Sequence, residues 1–361
     1  MRTFITILII SSSAFAQTTN SCEPCIPCCF FEQGLSLEED LKPPCDVKYG
    51  PGYNAGANIN VDSSWGLKMN AAFIYWYCSQ DAMDIAYVAP VVAAIPTPGE
   101  VVYQSFGYQP GFKIGIGWDT QFDNWAWNAE YTWLYHSKRH TAVSPHGFSA
   151  NDWFAPASPA LNLYNTVSSI WGMHFDQIDV TLGRPYYEGT HLTIAPAGGV
   201  RVLLLHQGIN VTMSNPLDVA NPVISSTTYF HSWAVGPMIG VNSQWIFWKG
   251  LRADGVIGSS LLYARYTEIV NTQTIVGTGT IPPISSNYSA VRPTFDMGLG
   301  LGYGAYLFRN KLFIDLSARY DFAQFWSQNV IRNFTSQLAG HDDAVGDLRL
   351  HGLTVNLRCD F

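Results

Sequence analysis

Charge is what this 361-residue sequence has least of: Asp, Glu, Lys and Arg together make up 13% of it, about half the share, roughly 25%, of an ordinary soluble domain. Long apolar runs are missing too. No segment holds the eighteen or so consecutive apolar residues that a membrane-crossing helix requires, and the longest candidate, 85–95, contains Pro90. Transmembrane helices are therefore not expected. Clustered Lys and Arg are absent, and the formal net charge is −8, which argues against nucleic acid as a partner. There is no Gly-x-Ser-x-Gly elbow. His136 and His140 have the spacing of a metal pair only if they lie on a helix, and His136 ends a predicted strand. His174 with Asp176, and His341 with Asp342, read as surface residues rather than dyads. The alternate glycines 298, 300, 302 and 304 lack the following helix that a nucleotide fingerprint needs. No enzyme activity, cofactor or metal is expected.

What is present is apolar and aromatic. Hydrophobic residues make up 47%, with 12 Trp, 19 Tyr and 20 Phe. The N-terminus has the parts of a signal peptide: Arg2, an apolar stretch from Phe4 to Ile10, and Ala14-Phe15-Ala16 as a small-x-small cleavage site. Cleavage there divides the chain into a signal peptide (1–16), a Cys- and Pro-rich periplasmic segment (17–61) and the remainder (62–361). Of the 7 cysteines, Cys22, Cys25, Cys28, Cys29 and Cys45 fall in the second part. Export to an oxidising compartment favours disulfides over zinc or an iron–sulfur cluster. The odd count leaves at least one thiol free or paired with another chain.

From about residue 62 the pattern alternates with period two. Between Asn124 and His136, Trp125, Trp127, Ala129, Tyr131, Trp133 and Tyr135 share one face, while Asn128, Glu130 and Thr132 share the other. Successive side chains of a strand point to opposite faces, so one face is aromatic and the other polar. Strands are expected near 66–78, 109–119, 123–136, 169–183, 189–206, 229–242, 244–267, 291–308, 311–324 and 348–361. The breaks at 120–122, 184–188, 243 and 309–310 are short, and those at 79–108, 137–168, 207–228, 268–290 and 325–347 are long. Hydrocarbon leaves unpaired backbone groups unsatisfied, so strands cross it only as a closed sheet. The expected fold is all-β: a transmembrane antiparallel up-and-down β-barrel of about 10–12 strands, with short periplasmic turns and long external loops. Trp118, Trp125, Tyr135, Trp171, Trp233, Trp245 and Tyr320 are expected to form its interfacial girdles. Lys113, Glu130, Asp179, Asp315, Arg319 and Asp321 fall on the opposite, lumen-facing side. The apolar stretch 85–102 is either a constriction loop or a further hairpin.

The last strand places Leu353, Val355, Leu357, Cys359 and Phe361 on one face. A terminal Phe behind alternate apolar residues resembles the signal read by the barrel-assembly machinery of outer membranes. Trp233–Trp245 (WAVGPMIGVNSQW), Leu316–Trp326 (LSARYDFAQFW), Gly199-Val200-Arg201 and the closing GLTVNLRCDF resemble the major outer membrane protein family of Legionella and environmental Chlamydiae. That resemblance implies a porin-like barrel in a bacterial outer membrane, and it carries no catalytic residues over. The expected function is passive diffusion of small hydrophilic solutes through a polar lumen. The alternative is a structural or adhesive envelope protein stabilised by disulfide cross-links. Expected partners are outer-membrane lipid, the assembly machinery, the diffusing solutes, and either further copies of the chain or disulfide-linked neighbours.

Overall fold

Each alternating stretch becomes a strand, and each strand hydrogen-bonds antiparallel to the next. The structure is a computed structural model. It describes residues 55–361 apart from 60, 63–64, 89–99, 121, 150–152, 155–163, 216–222, 249, 277–278 and 340–345. The expected signal peptide and Cys22, Cys25, Cys28, Cys29 and Cys45 lie outside the described residues. In chain order the elements are β1 (Leu67–Gln80), β2 (Asp84–Val88), β3 (Val101–Tyr103), β4 (Gly107–Asp119), β5 (Ala126–Ser149), β6 (Tyr164–Gly183), β7 (Tyr186–Glu188), β8 (Leu192–Ser214), β9 (Val223–Trp248), β10 (Leu251–Ile275), β11 (Gly279–Leu307), β12 (Leu312–Phe325), α1 (Val330–Ala339) and β13 (Leu348–Asp360).

Ten of these strands form a ring in sequence order, β1-β4-β5-β6-β8-β9-β10-β11-β12-β13. β1 closes it against β13, in register from Lys68↔Asp360 to Gln80↔Leu348. The short strands β2, β3 and β7 lie off the ring; β2 pairs with the end of β5, and β7 with β8. Closure leaves the ten long strands with no free edge, as hydrocarbon demands.

One end of the ring carries tight turns, and sequence chemistry explains them. Asp123 (φ 48°) and Asn124 (φ 59°) bend β4 into β5, while Arg309 (φ 56°) and Asn310 (φ 64°) join β11 to β12. Asn and Asp tolerate this left-handed region better than most residues. The turn expected at residue 243 lies instead at Gly250 (φ 86°). Ser243 stays in β9 opposite Gly255, and β9 continues through Trp245 and Phe247 to Trp248. Residues 55–59 and 61–62 run along this turn end, where the Tyr187 amide donates to the Ala55 carbonyl (2.9 Å) and the Asp62 amide to the Asn310 carbonyl (2.8 Å).

At the other, far end, three expected loops are corrected to strand. β5 and β6, β8 and β9, and β10 and β11 extend deep into 137–168, 207–228 and 268–290. The reason is an inversion of faces. On β8, Val200 and Leu204 point outward and Arg201 inward; beyond His206 the outward residues become Asn210, Thr212 and Ser214, and the inward ones Ile209, Val211 and Met213. The apolar-outward alternation that marks a lipid-facing strand stops there, although Val, Thr and Ile keep their strand preference.

The inward apolar residues of the far half form one core. Ile74, Leu134, Val167, Trp171, Leu205, Ile209, Phe230, Leu262, Phe325 and Leu350 are buried in it, together with Val330, Ile331 and Phe334 of α1. α1 joins β12 to β13 yet touches β8, β9 and β10 across the ring, so it lies over the barrel's mouth. Asn329 Nδ2 donates to the Asp81 carbonyl (2.7 Å), and Arg332 pairs with Asp84 (2.6 Å) beside the Trp153 ring. Within the stretch 85–102, the described residues fit the hairpin reading. β2 and β3 form a hairpin, and Met83 and Ile85 at its start are buried in the core.

Candidate functional site: the barrel interior

On the lipid-facing half, most outward side chains are aliphatic or aromatic. Ile239 is 69% exposed and Leu299 68%. Along β9, the exposed Trp233 and Trp245 bracket Val235, Pro237, Ile239 and Val241. Twelve residues at about 3.3 Å each, tilted by ~45°, cover roughly 28 Å, close to the apolar band of about 25 Å typical of such barrels. Trp118 and Tyr320 are likewise exposed. Trp171 is a correction. It points inward, fully buried, with its ring centroid 5.2 Å from that of Phe106 and 4.9 Å from that of His136. β6 places odd residues inside over this stretch, so a residue read as interfacial belongs to the core.

Inside the lipid-facing half the wall is charged, and the charges are paired. Lys113 binds Glu130 (3.2 Å). Arg201 takes Asp179 with Nε (2.8 Å) and Nη2 (3.0 Å), and reaches Asp296 with Nη1 (2.5 Å). Arg252 holds Asp254 (2.7 Å) and also Asp315. Arg319 holds Asp321 (2.5 Å), which accepts from the Thr354 hydroxyl (2.7 Å). Trp76 Nε1 donates to Thr354 (3.1 Å), and the Lys113 ammonium sits 5.1 Å from the Trp76 ring centroid. The six residues expected to face the lumen thus lie on the inner face in adjoining ion pairs. Five of them, Lys113, Glu130, Asp179, Arg319 and Asp321, line with Arg201 and Asp296 a cavity of about 230 Å³; Asp315 lies outside that lining.

Arg201, Arg252, Asp254 and Asp296 belong to this array but were not singled out from sequence. A signal was available for two of them. Arg252-x-Asp254, Arg319-x-Asp321 and Arg358-x-Asp360 repeat one spacing, and residues two apart share a strand face. In each the guanidinium folds onto its own strand's carboxylate. Planar, multidentate Arg suits this use.

The glycine row of β11 makes room for the array. Arg252 of β10 must cross β11 to reach Asp315 of β12, and it passes over Gly302. A Cβ at Gly302 would lie 2.6 Å from Asp254 Oδ2 and 2.9 Å from Arg252 Cζ.

The cavity ends at an aromatic ceiling. Phe175 of β6 and Phe325 of β12 come from opposite sides of the ring, yet their ring centroids are 5.6 Å apart. Above them lies the apolar core. At the turn end, the Phe361 amide donates to the Leu67 carbonyl (3.0 Å), which fixes the C-terminus beside the start of β1. Of the two cysteines in the described residues, Cys78 is buried and Cys359 partly so, and both are free. No group of three or more His, Cys, Asp or Glu suited to a metal occurs among the described residues.

A closed antiparallel ring with an apolar belt and a charged interior defines a transmembrane β-barrel. Residues 58–361 match the model of the family described as Legionella pneumophila major outer membrane protein precursor. The chain belongs to that family and resides in a bacterial outer membrane. No curated protein matches it. Similar solved structures include the outer membrane protease OmpT from Escherichia coli (9% identity, 82% of this chain and 96% of that one, TM-score 0.41). Another is a Pseudomonas aeruginosa FadL homologue (10% identity, 82% and 89%, TM-score 0.27). A third is the P. putida toluene transporter TodX (10% identity, 82% and 90%, TM-score 0.19).

Proposed function

We propose that the protein is a porin-type channel that passes small hydrophilic solutes through the barrel interior. The observation that carries this reading is the charged cavity between Lys113, Glu130, Arg201, Asp296, Arg319 and Asp321 at the level of the apolar belt. A barrel that served only as a membrane anchor would have little reason to keep so many ions at that depth, given the cost of desolvating them.

Passage needs the far half to open. The Phe175–Phe325 contact and the core beneath α1 block a straight path, and the polar ties of Asn329 and Arg332 hold α1 over the mouth. The test is conductance of the full chain in planar bilayers, beside the Phe175→Ala/Phe325→Ala variant. Brief or small openings in the wild type and larger steps in the variant are expected. Heat-modifiable gel mobility reports that each barrel is folded. Two folded barrels with no conductance would overturn the channel.

The filled mouth favours a second reading, a closed envelope barrel with a structural or adhesive role. Silent bilayers, together with envelope ladders on non-reducing gels that collapse with reductant, would establish it in place of the first.

A further inference from the structure

Three histidines stand side by side on the outer wall, where the lipid-facing surface gives way to the polar one. Register places His174 of β6 opposite His206 of β8, and His206 opposite His231 of β9. Ring centroids are 6.0 Å apart for the first pair and 4.3 Å for the second. Below the row the wall is Leu204 and Val235; above it come Gly208 and Asn210. Trp133 and Tyr135 flank His174, and Tyr229 flanks His231. Trp233 and Arg265, paired in register, follow on β9 and β10. Tyr and Trp collect at the headgroup level of such barrels, so the imidazoles sit at that level too.

The row has donors to spare. Trp133 Nε1 donates to His174 Nε2 (3.0 Å), and among the described residues no protein hydrogen bond engages His174 Nδ1. Among the described residues, no protein hydrogen bond engages the ring nitrogens of His206 or His231. The nearby acids are Asp176, which accepts from the Tyr131 hydroxyl (2.5 Å) and lies 3.3 Å from His174, and Glu268, beyond Thr267 at a register shift of β10. Arg265 is the nearby permanent cation. Chelation of a metal is not supported, since no such group occurs among the described residues. A row of imidazole donors beside an Arg and two Trp, at headgroup depth on a wall that faces lipid, suits an oxyanion attached to acyl chains.

We propose that His206 and His231, with His174 and Arg265, form a binding site for the phosphate of an outer-leaflet lipid. Imidazole and guanidinium N–H groups donate to the phosphate oxygens, while Trp133 and Trp233 cover the adjoining sugar or glycerol. The opposite sector lacks such a row. There a single His351 packs against Tyr77 and Tyr320, and its Nδ1 is already bonded to the Tyr320 hydroxyl (2.7 Å).

The test is native mass spectrometry of the refolded full chain in detergent. It is presented with lipid A, with the same lipid after phosphatase treatment, and with inorganic phosphate. Wild type should prefer the phosphorylated lipid by about tenfold, roughly the worth of one charge-assisted hydrogen bond. His206→Leu/His231→Leu should lose that preference, and His351→Leu should keep it. Should the double variant fail to show heat-modifiable mobility, His206→Leu alone carries the comparison. Equal binding of both lipids by wild type, an unchanged preference in the folded His variant, or displacement of lipid A by millimolar inorganic phosphate would each overturn the site.

Discussion

The two halves of this barrel obey opposite rules on one continuous sheet. At the lipid level β8 turns Val200 and Leu204 outward and Arg201 inward; at the far end the same strand turns Asn210 and Thr212 outward and Val211 and Met213 inward. β12 repeats the change, with Asp315, Arg319 and Asp321 inside and then Ala323 and Phe325. So does β13 in reverse, from Leu348 and Leu350 to Thr354 and Arg358. The solvent outside sets the pattern. Where it is lipid, apolar groups face out and ions pair within; where it is water, apolar side chains leave it and pack inside. The backbone pairing is indifferent to the change, which is why single strands pass through both regimes without a break.

This contrast can be attacked directly. The largest effect belongs to the far core. Phe325→Ala should lower unfolding stability by about 3–5 kcal/mol, the usual cost of emptying a packed aromatic site, read as a shifted urea midpoint of heat-modifiable mobility. An unshifted midpoint would mean that the far half is not packed. Arg201→Met strands Asp179 and Asp296 together and should cost about 3 kcal/mol, as for breaking a buried pair; a loss near zero would show these ions to be freely solvated. Next comes one substitution made in both regimes. Ile239→Arg in the lipid belt should cost about 2–4 kcal/mol, whereas Thr212→Arg, on the same outer face of the sheet but beyond the belt, should stay within about 0.5 kcal/mol. Equal costs would erase the boundary between the halves. A milder loss than in the core is expected at Gly302→Ala, about 1–3 kcal/mol from overpacking, with a shift in single-channel conductance as Arg252 moves.

Much of the lipid-level half was legible in the sequence. Every ring strand overlaps a stretch of alternation such as Phe112 to Trp118 or Leu312 to Phe322, because hydrocarbon on one side and ions on the other leave a strong period of two. The tight turn at Arg309-Asn310 was legible from its residue types. The far half was not, for a physical reason. With water outside, its strands carry Ser, Thr and Asn on the exposed face, as at Asn210, Thr212, Ser225 and Thr227, and so resemble loops. α1 sits within a stretch read as a loop, since its ten residues show only Val330, Ile331, Phe334 and Leu338 as a short apolar stripe. Trp171 was placed in the girdle by composition, but the face of a strand, not the residue type, decides which side it meets. At the candidate site the acidic residues Asp179, Asp315 and Asp321 stood out against a charge-poor chain. Arg201 and Asp296 are partners across three strand steps of the ring, a closeness created only by curvature.

The seam between β1 and β13 carries a further consequence. Among the described residues β1 is the first long strand in the chain and β13 the last, yet they are neighbours from Lys68↔Asp360 to Gln80↔Leu348. Until β13 is in place, the flank of β1 that it covers is bare. A molecule cut short before Leu348 would therefore keep two raw flanks, on β1 and on β12, and would remain an open ribbon rather than a slightly smaller cylinder.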